Sequence, residues 1–176
     1  LSARSLIETE PNYSYVTARL LLEKVKGEAH EFLGNPESYF EAYVAKGVDV
    51  GLLDPELKSF DLYKLSQAIE DDRDLQFQYL GLQTLYDRYL LHWDGQRIEL
   101  PQAFFMRVAM GLAMREVERE ERAIEFYRLL SSFDFMCSTP TLFNSGTTRP
   151  QLSSCFLSTV PDDLHGIFSA IGDNAL

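Results

Sequence analysis

The side chains best suited to chemistry lie in one stretch, Met136 to Leu164, which reads MCSTPTLFNSGTTRPQLSSCFLSTVPDDL. It holds both cysteines of the chain, Cys137 and Cys155, and it is rich in hydroxyls: Ser138, Thr139, Thr141, Ser145, Thr147, Thr148, Ser153 and Ser154. Small polar side chains between Pro and Gly turns present hydroxyls and backbone N–H groups without bulk, which suits a phosphate or another polar ligand. Cys155 has two readings. It is a redox-active thiol, or it is a core cysteine, since free cysteine is among the most buried residue types. No second cysteine stands at CxxC spacing to decide between them. Cys137, after Met136, reads as a small filler. His30, His92 and His165 match no metal-ligand spacing, so no metal site is expected. The acidic run Glu70–Asp74 lacks the glycine and terminal glutamate of a calcium loop. No GxGxxG or P-loop pattern occurs.

The elements that must position these groups follow from periodicity. Gln151 to Val160 has strand composition, with Cys155 mid-run, and predicts a buried strand. Asp162 or Asp163 then caps a last helix carrying Leu164, Ile167, Phe168 and Ile171. Before the stretch the chain reads as helical. Asn12 is expected to cap a helix with Tyr13, Val16 and Leu20 on one face, ending near Gly27. Asn35-Pro36 starts a second, with Tyr39, Phe40, Tyr43 and Val44 as its stripe and Gly47 as its stop. Asp54-Pro55 opens a less regular segment through Ile69. The acidic cluster precedes a strong helix with Leu75, Tyr79, Leu82, Tyr86 and Tyr89 on one face. Asp94-Gly95 between two strand-like runs predicts a two-residue hairpin. Pro101 opens a helix with Phe105, Val108, Ala109 and Leu112 inward. Glu116–Glu121 reads as a solvated bend, and Ala123, Phe126, Tyr127 and Leu130 define one more helix, stopping near Phe133.

The expected fold is mainly α: a helical domain with one small β-hairpin, followed by the first strand and helix of an α/β unit. Of 176 residues, 45% are hydrophobic and 12% aromatic, enough for a core. A net charge of −11 argues against a nucleic-acid or anionic-membrane surface. No apolar run approaches the roughly 18 residues of a membrane span. Two cysteines without an export signal fit a reducing, cytoplasmic setting. The chain starts without Met and stops within an apparent helix, so it reads as an excerpt of a longer protein.

The junction STPTLFNSGTTRPQLSSCFL resembles the start of the catalytic barrel in the large (α) subunit of class I ribonucleotide reductase. Three further stretches agree in order and spacing: Tyr13–Leu22 (YSYVTARLLL), Asp72–Leu90 (DRDLQFQYLGLQTLYDRYL) and Leu100–Ala109 (LPQAFFMRVA). The resemblance covers essentially the whole chain. It implies residues 1–10 as the end of a preceding element such as an ATP-cone, 11–150 as the N-terminal helical domain, and 151–176 as the start of a ten-stranded α/β barrel.

The family's chemistry is the reduction of ribonucleotides to deoxyribonucleotides, with a thiyl radical and a cysteine pair as reductant. The resemblance implies Cys155 as one member of that pair, its partner on a later strand. Thr139, Ser154 and Cys155 match substrate-contacting positions. Asp162, Asp163 and Leu164 match the stretch that meets a nucleoside triphosphate effector, although a serine stands at the position of Asp163 in some members. Cys137 matches no redox cysteine of the family. The radical cysteine and the C-terminal shuttle cysteines would lie beyond Leu176.

Implied partners are a ribonucleoside diphosphate, dNTP or ATP effectors, a second large subunit in a homodimer, a separate metal-containing radical subunit, and thioredoxin or glutaredoxin. No cofactor is implied in this subunit. Two other readings stand beside this one: a helical interaction module in which Cys155 is core, and the adenosylcobalamin-dependent reductases, which share the barrel. Ser153-Ser154-Cys155 directly after a TPTLFNSG loop favours the enzyme over the module, and the helical motifs favour class I.

Overall fold

Helical sequence becomes helix along most of the chain, of which the computed structural model describes residues 2–175. A single turn, α1 (Ser2–Ser5), precedes the long α2 (Tyr13–Leu33). The expected stop at Gly27 lies inside α2, which runs to Gly34, where φ is +75° and the N–H bonds His30 O. Asn12 has helical dihedrals and makes no capping bond. The face predicted from Tyr13, Val16 and Leu20 is turned outward: Leu20 is 60% exposed, while Thr17, Ala18, Leu22, Val25 and Ala29 are buried. Periodicity permits several overlapping stripes on a 21-residue helix, and the neighbours, not the pattern, choose among them.

Helix α3 (Tyr39–Asp49) starts after Ser38 rather than at Pro36, and it buries Phe40, Tyr43 and Val44 as their spacing predicts. Gly47 does not end it. A Cβ there would stand 2.6 Å from Leu53 Cδ1, so glycine lets the following chain fold back onto the helix. The Asp54–Ile69 segment divides into a 3₁₀ turn (Pro55–Ser59) and α4 (Leu62–Gln67). Asp54 and Asp61 cap them, accepting from Glu56 N at 2.8 Å and Lys64 N at 2.9 Å.

The strong helix expected from Leu75 to Tyr89 is broken. A 3₁₀ turn (Asp71–Gln76) is followed by α5 (Tyr79–Thr84), which widens into a π turn over Leu85–Tyr89. Leu75 is half exposed and Asp74 is buried. The cause is tertiary: Asp74 turns inward to accept from Gln102 Nε2 at 2.8 Å.

The hairpin forms as predicted. β1 (His92–Trp93) pairs antiparallel with β2 (Gln96–Arg97). Asp94 and Gly95 both have positive φ, +47° and +81°, as a type I′ turn requires.

Helix α6 (Pro101–Ala113) is the axis of the core. Its expected stripe underestimates its burial: Phe104, Met106 and Arg107 are enclosed as fully as Phe105, Val108 and Ala109. Helix α7 (Arg119–Ser131) begins within the charged stretch read as a bend and packs Ala123, Tyr127 and Leu130 inward. Helices α8 (Thr139–Asn144) and α9 (Leu164–Ala175) complete the order.

The strand expected over Gln151–Val160 does not form. This segment has neither helix nor strand, and nearly all of it is exposed. A strand is stable only when neighbours complete its ladder. Among the described residues, sheet pairing is confined to β1–β2, with one isolated bridge between Leu53 and Thr147. No described helix is long and apolar enough to cross a membrane.

Asp74 supplies a pH-dependent weakness. Burial pushes its carboxyl up to about 6, against an opposing hydrogen bond from Gln102. Gln102 Oε1 in turn accepts from Tyr127 OH at 2.8 Å. A folded-state value above the ordinary one means that the protonated form is favoured on folding. The stabilisation is therefore complete in acid and is lost as pH rises through about 6. Asp74→Asn is expected to be more stable than the parent by about 2 kcal/mol at pH 7.5. The difference should shrink towards zero near pH 4. Thermal unfolding at the two pH values checks this.

Candidate functional site

The stretch read as a loop contains a short helix. Ser138 is extended and Pro140 occupies the first turn, so α8 begins where a missing N–H is harmless. It ends at Ser145, and Gly146 (φ +74°) turns the chain away.

This segment is held from beneath by a buried ion pair. Arg107 on α6 donates from Nε to Glu99 Oε1 at 2.7 Å and from Nη2 to Glu99 Oε2 at 3.4 Å, and neither residue is exposed. Its remaining donors go to the end of α8: Nη2 to Leu142 O at 3.2 Å and Nη1 to Ser145 O at 2.5 Å. Glu99 also accepts from Tyr43 OH and from Leu91 N. Burial, reinforced by the charge of Glu99, pushes the Tyr43 phenol well above its ordinary range and keeps it a donor. Ser145 Oγ donates to Val108 O at 2.8 Å. The backbones approach so closely that a Cβ on Gly111 would stand 2.1 Å from Gly146 N. Asp54 N to Gly146 O (3.1 Å) and Thr148 N to Leu52 O (3.2 Å) tie the far side to the turn after α3.

On this base the predicted site residues fall into separate groups. Thr139 is exposed, and its Oγ1 lies 3.2 Å from Tyr89 OH. Two bonds root the following segment on α8: Asn144 Nδ2 to Gln151 O at 2.7 Å and Thr141 Oγ1 to Leu152 O at 3.2 Å. Beyond that root Ser154 and Cys155 are exposed, and Ser154 Oγ stands 3.7 Å from Cys155 Sγ. The core reading of Cys155 is thus not realised in this chain.

Cys137 is half-buried against the core, and burial pushes its thiol up, away from the reactive thiolate. Asp163 Oδ1 accepts from Gly166 N at 2.8 Å and so caps α9, whereas Asp162 makes no such bond. Asp162, Asp163 and Leu164 are all exposed. No hydrogen bond among the described residues joins them to Thr139 or to Cys155. Among the described residues, no three His, Cys, Asp or Glu side chains converge to hold a metal ion.

Comparison with known proteins identifies the family of the chain. A family profile described as the ribonucleotide reductase all-alpha domain matches residues 75–150. The ribonucleoside-diphosphate reductase subunit alpha of Chlamydia muridarum is 50% identical over 184 residues, covering all of this chain and 18% of the relative. That of Helicobacter pylori is 45% identical, covering 94% of this chain and 21% of the relative. The large chain of Schizosaccharomyces pombe is 35% identical, covering 97% and 21%. The chain belongs to the ribonucleotide reductase large-subunit family. It spans about a fifth of the length of the curated relatives it matches.

The residues to which the sequence assigned no part in this site are Tyr43, Glu99 and Arg107, which form its base, and Tyr89, which stands beside Thr139. A signal for two of them was present. Arg107 interrupts the apolar run Phe104–Met110, and Glu99 stands between Ile98 and Leu100. A charge alone in an apolar run is buried only when paired, and two such charges eight residues apart suggest each other.

Proposed function

We propose that this chain is part of a ribonucleoside-diphosphate reductase large subunit of class I, and that Cys155 is one thiol of its reducing pair. The observation that carries the reading is identity along the whole chain to relatives bearing that name. The geometry supports it: an exposed thiol beside a serine hydroxyl, on a segment rooted on the short helix that carries Thr139. In this reading Thr139 and Ser154 contact the ribonucleoside diphosphate. The electron balance is simple. Two thiols become one disulfide and release two electrons and two protons, the C2′ hydroxyl leaves as water, and hydrogen replaces it. The radical that starts the reaction comes from a separate metal-containing subunit, and thioredoxin or glutaredoxin re-reduces the disulfide. The setting is the cytoplasm.

We also propose that Asp162, Asp163 and Leu164 meet a nucleoside triphosphate effector beside a large-subunit dimer contact. Support comes from α9, whose apolar face is uncovered: Leu164, Phe168 and Ile171 are each at least 60% exposed. A helix face of this kind suits an isologous contact with its two-fold mate.

The test is an assay of the full-length protein with its radical-supplying subunit, cytidine diphosphate, an effector nucleotide and dithiothreitol. Deoxycytidine diphosphate is the expected product. Its absence overturns the reading. Its formation with adenosylcobalamin in place of the second subunit overturns the class.

A further inference from the structure

Tyr89, at the end of the π turn, reaches Thr139 at the start of α8. The π turn of Leu85–Tyr89, closed by Leu90 N to Leu85 O at 3.0 Å, brings the Tyr89 ring against α8. That ring stacks on Phe143 with centroids 4.8 Å apart and planes at 17°, and it meets Phe104 edge-on at 6.4 Å. Thr139 and Phe143 are four residues apart on α8 and so share a face. With the ring fixed by two aromatic contacts, the phenol lies 3.2 Å from Thr139 Oγ1. Among the described residues neither hydroxyl has a second hydrogen-bond partner. The cleft of about 350 Å³ that Tyr89 also borders is walled mainly by apolar side chains such as Phe77, Leu85, Phe105 and Met136 and holds no charged group, so it offers no cation to a diphosphate.

We propose that Tyr89 is a positioning residue for the substrate, acting through Thr139. The inference rests on the reading of Thr139 as a substrate contact. A threonine hydroxyl has one proton, and phosphate oxygens only accept. For Thr139 to bond both neighbours, Tyr89 must donate to Thr139 Oγ1 and Thr139 must donate to the anionic oxygen. Hydrogen bonds in such a chain polarise one another, so the phenol strengthens the threonine as a donor and holds its rotamer.

The experiment measures KM and kcat for cytidine diphosphate in the full-length protein with its partner subunit, for Tyr89→Phe, Thr139→Ala and the double variant. Tyr89→Phe keeps the stacking ring and removes only the hydroxyl. Either single change is expected to raise KM by about five- to ten-fold, with much less effect on kcat. The double variant should be no worse than Thr139→Ala alone, because one path is being cut twice. Thr139→Ser should restore KM. An unchanged KM in Tyr89→Phe, beside a raised one in Thr139→Ala, overturns the proposal. Additive effects in the double variant overturn it too, as does a lowered melting temperature in Tyr89→Phe, which would make Tyr89 structural. An unchanged KM in Thr139→Ala instead defeats the reading of Thr139, and the role of Tyr89 falls with it.

Discussion

Arg107→Met is expected to destabilise the helical domain by about 3–5 kcal/mol, the range for breaking one side of a buried ion pair. The cause is what is left behind. Glu99 would stay buried, bonded to Tyr43 OH and Leu91 N but without its cation. The carbonyls of Leu142 and Ser145 would lose their donors. Methionine fills much of the volume, so the loss is electrostatic rather than a cavity. The double change Arg107→Met with Glu99→Gln should recover part of the loss, since it removes the orphaned charge. Additive losses would show that the pair is not coupled. Denaturant midpoints for the four proteins check this. Because Arg107 also holds the end of α8, the proposed substrate role of Thr139 predicts that the single variant binds cytidine diphosphate more weakly even where it remains folded.

Cys155→Ser is expected to reduce dithiol-driven turnover of the full-length enzyme to background, on the order of a thousand-fold or more. Serine preserves shape and hydrogen bonding but cannot be oxidised to a disulfide, so under the proposed role of Cys155 the two electrons for the C2′ centre have no source. The fold should be untouched, because serine matches cysteine closely in shape and the thiol's one hydrogen-bond contact among the described residues is with Ser154 Oγ. Cys137→Ser is the control. Its thiol is half-buried and its pKa is pushed up, so the change should leave turnover intact and lower stability by about 1 kcal/mol or less. Deoxynucleotide formation and thermal unfolding measured on both variants separate the two cysteines. Full activity in Cys155→Ser would remove this cysteine from the chemistry.

Several signals that act within a few residues were legible in the sequence, because their physics is complete within that span, although the expected cap at Asn12 and stops at Gly27 and Gly47 were not realised. Asp94-Gly95 supplies the two positive φ values of its own turn. Pro101 starts α6, Asp163 caps α9 through Gly166 N, and Tyr39–Val44 bury the stripe that their spacing draws. What depended on partners distant in sequence was decided by the tertiary structure. Tyr13, Val16 and Leu20 form as good a stripe as the one α2 buries, and packing reversed the choice. Asp74 breaks an expected helix because Gln102, 28 residues away, offers a bond. Gln151–Val160 has the composition of a strand and no ladder to join. The base of the candidate site joins Tyr43, Glu99, Arg107 and the end of α8 across more than a hundred residues. Such a network has no local period, since its energy comes from burial that exists only after the helices have packed.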